Sequence, residues 1–90
     1  MGAFGELLIA ADLIRKGFNV YRALSPSSPS DLIIQRNGKL ITVECRTGYR
    51  TKNGEIKASK QRFRSEILAV IVDNGKHIEY SPKLQGETET

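Results

Sequence analysis

Ninety residues and 10.0 kDa, against a typical domain of about 100 to 150 residues, leave room for one small domain and exclude a second core. With 39% hydrophobic and 27% charged residues the chain has a globular composition, and disorder is expected only in the polar end, residues 83–90, beyond a domain of residues 1–82. The net charge of +4 is uneven: from Arg36 to Arg64 nine basic residues face only Glu44 and Glu55, a segment of +7 that suits either a solvated face or a surface for a polyanion, and the pI of 9.5 favours the second.

The first predicted element is a helix over Ala3 to Lys16, with Phe4, Leu7, Leu8, Ala11 and Ile14 at helical spacing and Gly17 as its stop. Its apolar stretch, Leu7 to Ile14, is broken by Asp12 and too short to cross a bilayer, so neither a membrane nor a secreted location is expected. Glu6 shares a helix face with Ile9, Ala10 and Leu13 and so points toward the core or its rim, where a carboxylate is paired, protonated or beside a cation. Stabilisation by the helix dipole is the competing account of that acid.

Two prolines in Ser25–Ser30 forbid regular helix and mark a loop. It follows a short strand, Phe18 to Arg22, and precedes two more, Asp31 to Gln35 and Leu40 to Arg46, joined by Asn37-Gly38, the strongest hairpin signal. With Asn37 and Gly38 as the two loop residues, Arg36 faces Lys39, and continuing the register places Asp31 opposite Glu44. Leu32, Ile34, Ile41, Val43 and Cys45 then share the other, apolar face.

Opposed side chains have Cβ atoms about 4.5 to 5.5 Å apart, so two carboxylates would stand together and call for a compensating partner. A divalent cation fits, since Mg²⁺ is commonly held by one or two carboxylates with positions left for water and a substrate phosphate. Arg46 returns to the carboxylate face, where it either neutralises the acids or reaches the same phosphate.

After Thr47 a basic loop with an Asn53-Gly54 turn leads to a short predicted helix, Ala58 to Ser65. Ile67 to Val72 reads as a buried strand, Asp73-Asn74-Gly75 as a turn and His77 to Tyr80 as its antiparallel return. Cys45, on the apolar side, reads as a core residue; as the chain's one cysteine it excludes an internal disulfide and a multi-cysteine zinc site and suits a reducing, cytoplasmic setting. His77 reads as a solvated strand residue.

These pieces together resemble the PD-(D/E)xK nuclease superfamily, close to small homing-endonuclease-like and Holliday-junction-resolvase-like members: Gly5-Glu6 with Ala10, Ala11, Leu13 and Gly17; Asp31-Leu32-Ile33-Ile34; Val43-Glu44-Cys45-Arg46-Thr47-Gly48; and a terminal hairpin ending Tyr80-Ser81-Pro82. The resemblance implies an α/β, restriction-endonuclease-like mixed sheet flanked by helices, in the order α-β-β-β-α-β-β. It implies that Asp31 and Glu44, with the Cys45 carbonyl, bind Mg²⁺ (Mn²⁺ substituting), that Glu6 completes the site, and that DNA phosphodiesters are hydrolysed. Ser30 intervenes between Pro29 and Asp31. Arg46 stands where the family has Lys, and with a pKa above 12 it cannot serve as a base. Either Arg46 acts electrostatically, or Lys57 or Lys60 takes the role, or the protein binds without cutting.

The basic residues Arg50, Lys52, Lys57, Lys60, Arg62 and Arg64 are the candidate contacts to DNA phosphates, and the location expected on this reading is cytoplasmic or nucleoid-associated. Two strands to cut and one site per chain lead to the expectation of a homodimer or higher homo-oligomer. The competing functions are a nuclease-fold DNA- or junction-binding subunit without turnover, and a small protein-contact domain.

Overall fold

A computed structural model describes residues 3–25, 30–58 and 63–84. Helix α1 spans Ala3–Arg15, one residue short of the expected Lys16, and Gly17 stops it as expected: it takes φ +97°, a left-handed position that an L side chain resists, and the Arg36 guanidinium caps the helix by donating to the Lys16 carbonyl. The same guanidinium lies 4.0 Å from the Phe18 ring centroid, joining the helix end to the far end of the second strand.

Six strands follow: β1 (Asn19–Arg22), β2 (Leu32–Arg36), β3 (Lys39–Arg50), β4 (Ile56–Ala58), β5 (Ile67–Val72) and β6 (His77–Ser81). They form one mixed sheet in the order β1-β2-β3-β5-β6, with β4 paired to the outer end of β3. Only β3 and β5 run parallel, from Val43↔Ile67 to Thr47↔Ile71; the other pairs are antiparallel. Asn37 and Gly38 both have positive φ, as a two-residue hairpin turn requires, and the register from Arg36↔Lys39 to Leu32↔Val43 is the one their spacing dictates.

That register sends Leu32, Ile34, Val43 and Cys45 toward α1, where they bury against Ile9 and Leu13 together with Ala69, Ile71 and Tyr80. Each fully buried aliphatic side chain contributes about 1.5–3 kcal/mol. The Tyr80 hydroxyl donates to Asp12 Oδ2 at 2.6 Å and so fixes α1 to the last strand. Leu84, just past the expected boundary at residue 82, is 4% exposed and packs into this core.

Two expectations change. The basic loop after Thr47 is a β-ribbon: β3 runs on to Arg50, Thr51 N–H donates to the Glu55 carbonyl at 2.8 Å, Gly54 turns at φ +84°, and β4 pairs Ala58 with Gly48 and Ile56 with Arg50. The predicted helix over Ala58 to Ser65 is not formed at either described end: Ala58 closes β4, and Phe63 to Ser65 are non-helical, while residues 59–62 lie outside the described residues. Ile56 and Ala58 are half-buried on either side of exposed Lys57, a period of two that pairs as a strand. The observed order is α1-β1-β2-β3-β4-β5-β6, with α1 the one α-helix among the described residues.

Candidate active site

The β2–β3 ladder stops one pair short of Asp31 and Glu44. Asp31 donates its N–H to the Val43 carbonyl at 3.1 Å, so Asp31 and Leu32 both address Val43 in a bulge-like step. The regular ladder therefore does not extend to the expected Asp31–Glu44 pair, and Asp31 is bonded instead to Val43 and Cys45, the residues on either side of Glu44. The cause is the Asp31 side chain, whose Oδ2 accepts the Cys45 N–H at 2.8 Å and takes the place of a further strand residue. In a strand the N–H and C=O of one residue leave by the same edge, so the Cys45 carbonyl also points to the side where Asp31 lies.

Glu44 remains under the influence of Asp31. Its pKa is raised above the usual 4.5 by burial first and then by the Asp31 charge, against the lowering effect of Arg46. Arg46 Nη2 lies 3.7 Å from Glu44 Oε2, and its guanidinium carbon is 5.2 Å from the Phe63 ring centroid; the residue is only 8% exposed. A cation at that depth is held by the carboxylate and the ring face together.

Glu6 does reach the rim, as its helix face required, and there it meets a residue that sequence reasoning had not singled out. Arg22, the last residue of β1, donates from Nε to Glu6 Oε1 at 3.2 Å. Glu6, Arg22, Ser25, Ser30 and Asp31 line one cavity of about 180 Å³. Glu6 comes from the α1 side of the sheet, whereas strand alternation sends Glu44 to the opposite side. Among the described residues no three His, Cys, Asp or Glu side chains gather closely enough to hold a metal ion. Glu6 thus shares a cavity wall with Asp31 without joining Asp31 and Glu44 in a three-acid cluster.

What Asp31, Glu44 and the Cys45 carbonyl offer is a set of hard oxygen donors with two carboxylates, which matches the needs of an octahedral divalent cation that keeps several water positions. A cation there would relieve the Asp31 repulsion that, after burial, raises the Glu44 pKa. Cys45 is no competitor as a soft ligand: its thiol is buried, and burial above all, then the charges of Asp31, Glu6 and Glu44, push its pKa far above the usual range.

The basic residues are dispersed. Arg50 Nε is 2.8 and 3.1 Å from the two Asp73 carboxylate oxygens, which engages it at the β5–β6 corner. Lys57 Nζ is 3.7 Å from Glu55 on the ribbon, Lys52 is exposed at the ribbon's turn, and Arg64 is exposed before β5. Lys60 and Arg62 lie outside the described residues. His77 is exposed at the start of β6.

A family model described as PD-(D/E)XK endonuclease matches residues 1–80. The chain belongs to the PD-(D/E)XK endonuclease family. Protein 5.3 of Escherichia phage T7 is 28% identical over 98 aligned positions, which take in 97% of this chain and 83% of that protein. The solved structure of the bacterial homing endonuclease I-Ssp6803I superposes with a TM-score of 0.70 at 14% identity, over 88% of this chain; the chain spans 64% of that enzyme's length. At that identity the superposition shows the fold, a restriction-endonuclease-like mixed sheet.

Proposed function

We propose that the protein is a divalent-metal-dependent DNA endonuclease that hydrolyses phosphodiester bonds at Asp31 and Glu44. The observation that carries this reading is the Asp31 carboxylate, held by the Cys45 N–H next to a Glu44 whose proton affinity that carboxylate raises. Membership of a nuclease family supports it.

Asp31 and Glu44, with the Cys45 carbonyl, would hold the cation. The bound metal would supply an activated water and neutralise charge on the phosphate. The protein's part is positional and electrostatic. The Cys45 N–H fixes the Asp31 carboxylate and leaves its second oxygen for the cation. Arg46 pairs with Glu44 and opposes the rise in its pKa, which favours the ionised form that a metal requires. A guanidinium cannot accept a proton at neutral pH, so Arg46 contributes charge and no general base. DNA is held by the basic residues of the β3–β4 ribbon and of the segment before β5, and cutting both strands calls for two copies of the chain.

The test is nicking of supercoiled plasmid with Mg²⁺ or Mn²⁺. The wild type is expected to cut, Asp31→Ala and Glu44→Ala to lose cutting, and Arg46→Lys to retain it. Full cutting by Asp31→Ala would remove the proposal. One observation favours a second reading, a DNA-binding subunit without turnover: Arg46 is buried under Phe63 and paired to Glu44. Retention of DNA with no nicking at any metal concentration would select it.

A further inference from the structure

Arg46, beside Glu44, and Arg22, which lines a cavity with Asp31, differ in what they leave exposed. The Arg46 side chain is 10% accessible, engaged by Glu44 and covered by Phe63. The Arg22 side chain is 47% accessible, and its contact is made through Nε, the inner nitrogen of the guanidinium, to a Glu6 that is itself largely covered. An arginine gripped at Nε keeps its two terminal nitrogens for a second partner, and they present the flat paired donors that match two phosphate oxygens.

The backbone places this fork beside the acid. Arg22 pairs with Leu32, and the Ala23 N–H donates to the Asp31 carbonyl at 3.0 Å, so Arg22 at the end of β1 and Asp31 just before β2 line the same cavity. Glu6 forms another wall of that cavity and ties the guanidinium to it through Nε.

We infer that Arg22 is a phosphate-binding residue of the site: oriented by Glu6, its terminal nitrogens take the non-bridging oxygens of a nucleic-acid phosphate lying over Asp31. This rests on the endonuclease reading for its substrate class but is read out separately from it. Arg22 contacts the phosphate, and Glu6 is its positioning residue, which gives the helix acid a role that needs no third metal ligand.

The experiment measures duplex DNA binding in EDTA, without metal, across a range of salt concentrations, for the wild type, Arg22→Gln, Arg22→Lys and Glu6→Gln, alongside plasmid nicking in Mg²⁺. Removing one phosphate contact lowers the magnitude of the log–log salt slope by about 0.9. Arg22→Gln is expected to show that drop together with weaker binding. Arg22→Lys is expected to keep the slope but to nick more slowly, because a point charge replaces the fork. Glu6→Gln is expected to bind more weakly while retaining the slope, as the fork is kept but no longer aimed.

If Arg22 were only a structural partner of Glu6, Arg22→Gln and Glu6→Gln would lower the melting temperature alike and leave binding and slope unchanged, which would overturn the inference. A wild type that nicks, with an Arg22→Gln slope equal to its own, overturns the inference and leaves the endonuclease reading standing. A wild type that binds with an Arg22-dependent slope but never nicks does the reverse. A wild type that retains no DNA overturns both.

Discussion

The Cys45 N–H meets Asp31 Oδ2 at 2.8 Å, so the acid just before β2 is positioned by the backbone of the very strand that carries Glu44 and Arg46. A shift of β3 against β2 by one residue would cost this bond and the alignment of the acids together. Asp31→Asn keeps an oxygen acceptor for the Cys45 N–H while removing the charge, and Asp31→Ala removes both. The expected outcome is that both variants lose metal-dependent nicking. Only Asp31→Ala is expected to lose stability as well, by about 1–3 kcal/mol for a stranded buried donor. Urea unfolding beside the nicking assay checks the split.

Glu44 gives a pH dependence whose sign follows from its environment. Burial and then Asp31 raise its folded pKa above the ordinary 4.5. In the window between the unfolded value and the raised folded one, the native chain binds more protons than the unfolded chain. Stability therefore falls as pH rises through that window. Without metal, Glu44→Gln is expected to flatten this part of the profile. Arg46→Gln removes the charge that opposes the shift and is expected to extend the window upward. Urea melts in EDTA from about pH 4 to about pH 7 measure both.

The frame of the candidate site was legible in the sequence as far as local rules reach. Asn37-Gly38 fixes a hairpin by its own conformational preference, and that turn alone determines which residues of β2 face which of β3 as far as Leu32↔Val43. It could not fix the last step, because the bulge at Asp31 arises from a side chain competing for a backbone N–H. Arg22 carries no local mark at all. Sixteen residues separate it from Glu6, and only the docking of α1 on β1 brings them to 3.2 Å. The parallel pairing of β3 with β5 is likewise non-local. The β4 strand, by contrast, was present in the alternation of Ile56, Lys57 and Ala58, and it was obscured by the charge of the segment around it.

Cys45 is expected to be inert in the folded protein. Its thiol is buried, and its pKa is pushed well up by burial and by three neighbouring carboxylates, so the thiolate that reacts with alkylating agents is scarce. Labelling by iodoacetamide at neutral pH is expected only after unfolding. Cys45→Ala is expected to keep nicking while losing about 1 kcal/mol of stability for the buried sulfur. Rapid labelling of the native protein would contradict the core assignment.

The ribbon's cations differ in what they have left to give. Asp73 holds Arg50 through both carboxylate oxygens, whereas Lys52 stands exposed at the turn. Lys52→Ala is expected to reduce the salt slope of DNA binding by about 0.9, one phosphate contact. Arg50→Ala is expected to change the slope little and to cost at most about 1 kcal/mol of stability, since its ion pair is half exposed. A larger slope change in Arg50→Ala than in Lys52→Ala would show that DNA displaces Asp73.

The root of that ribbon depends on a missing side chain. At Gly48, where β3 passes from β5 to β4, a Cβ would lie 2.5 Å from the Lys57 carbonyl oxygen and 2.5 Å from Val70 Cγ1. One neighbour is the backbone of β4 and the other a residue of the central sheet, so relief requires the ribbon to move away from the sheet. Gly48→Ala is expected to cost about 1–3 kcal/mol, as overpacking does elsewhere. The loss should be concentrated in β4, which pairs with β3 over only three residues, Gly48↔Ala58 to Arg50↔Ile56. Hydrogen exchange at Lys57 and Ala58 is therefore expected to accelerate more than at Ala69 or Val70. DNA affinity should fall with it, because Lys52 and Lys57 lose their common frame, while the bond from the Cys45 N–H to Asp31 stays protected. Uniform acceleration across β5 and β4 alike would mean that Gly48 supports the whole sheet and that the ribbon has no separate stability.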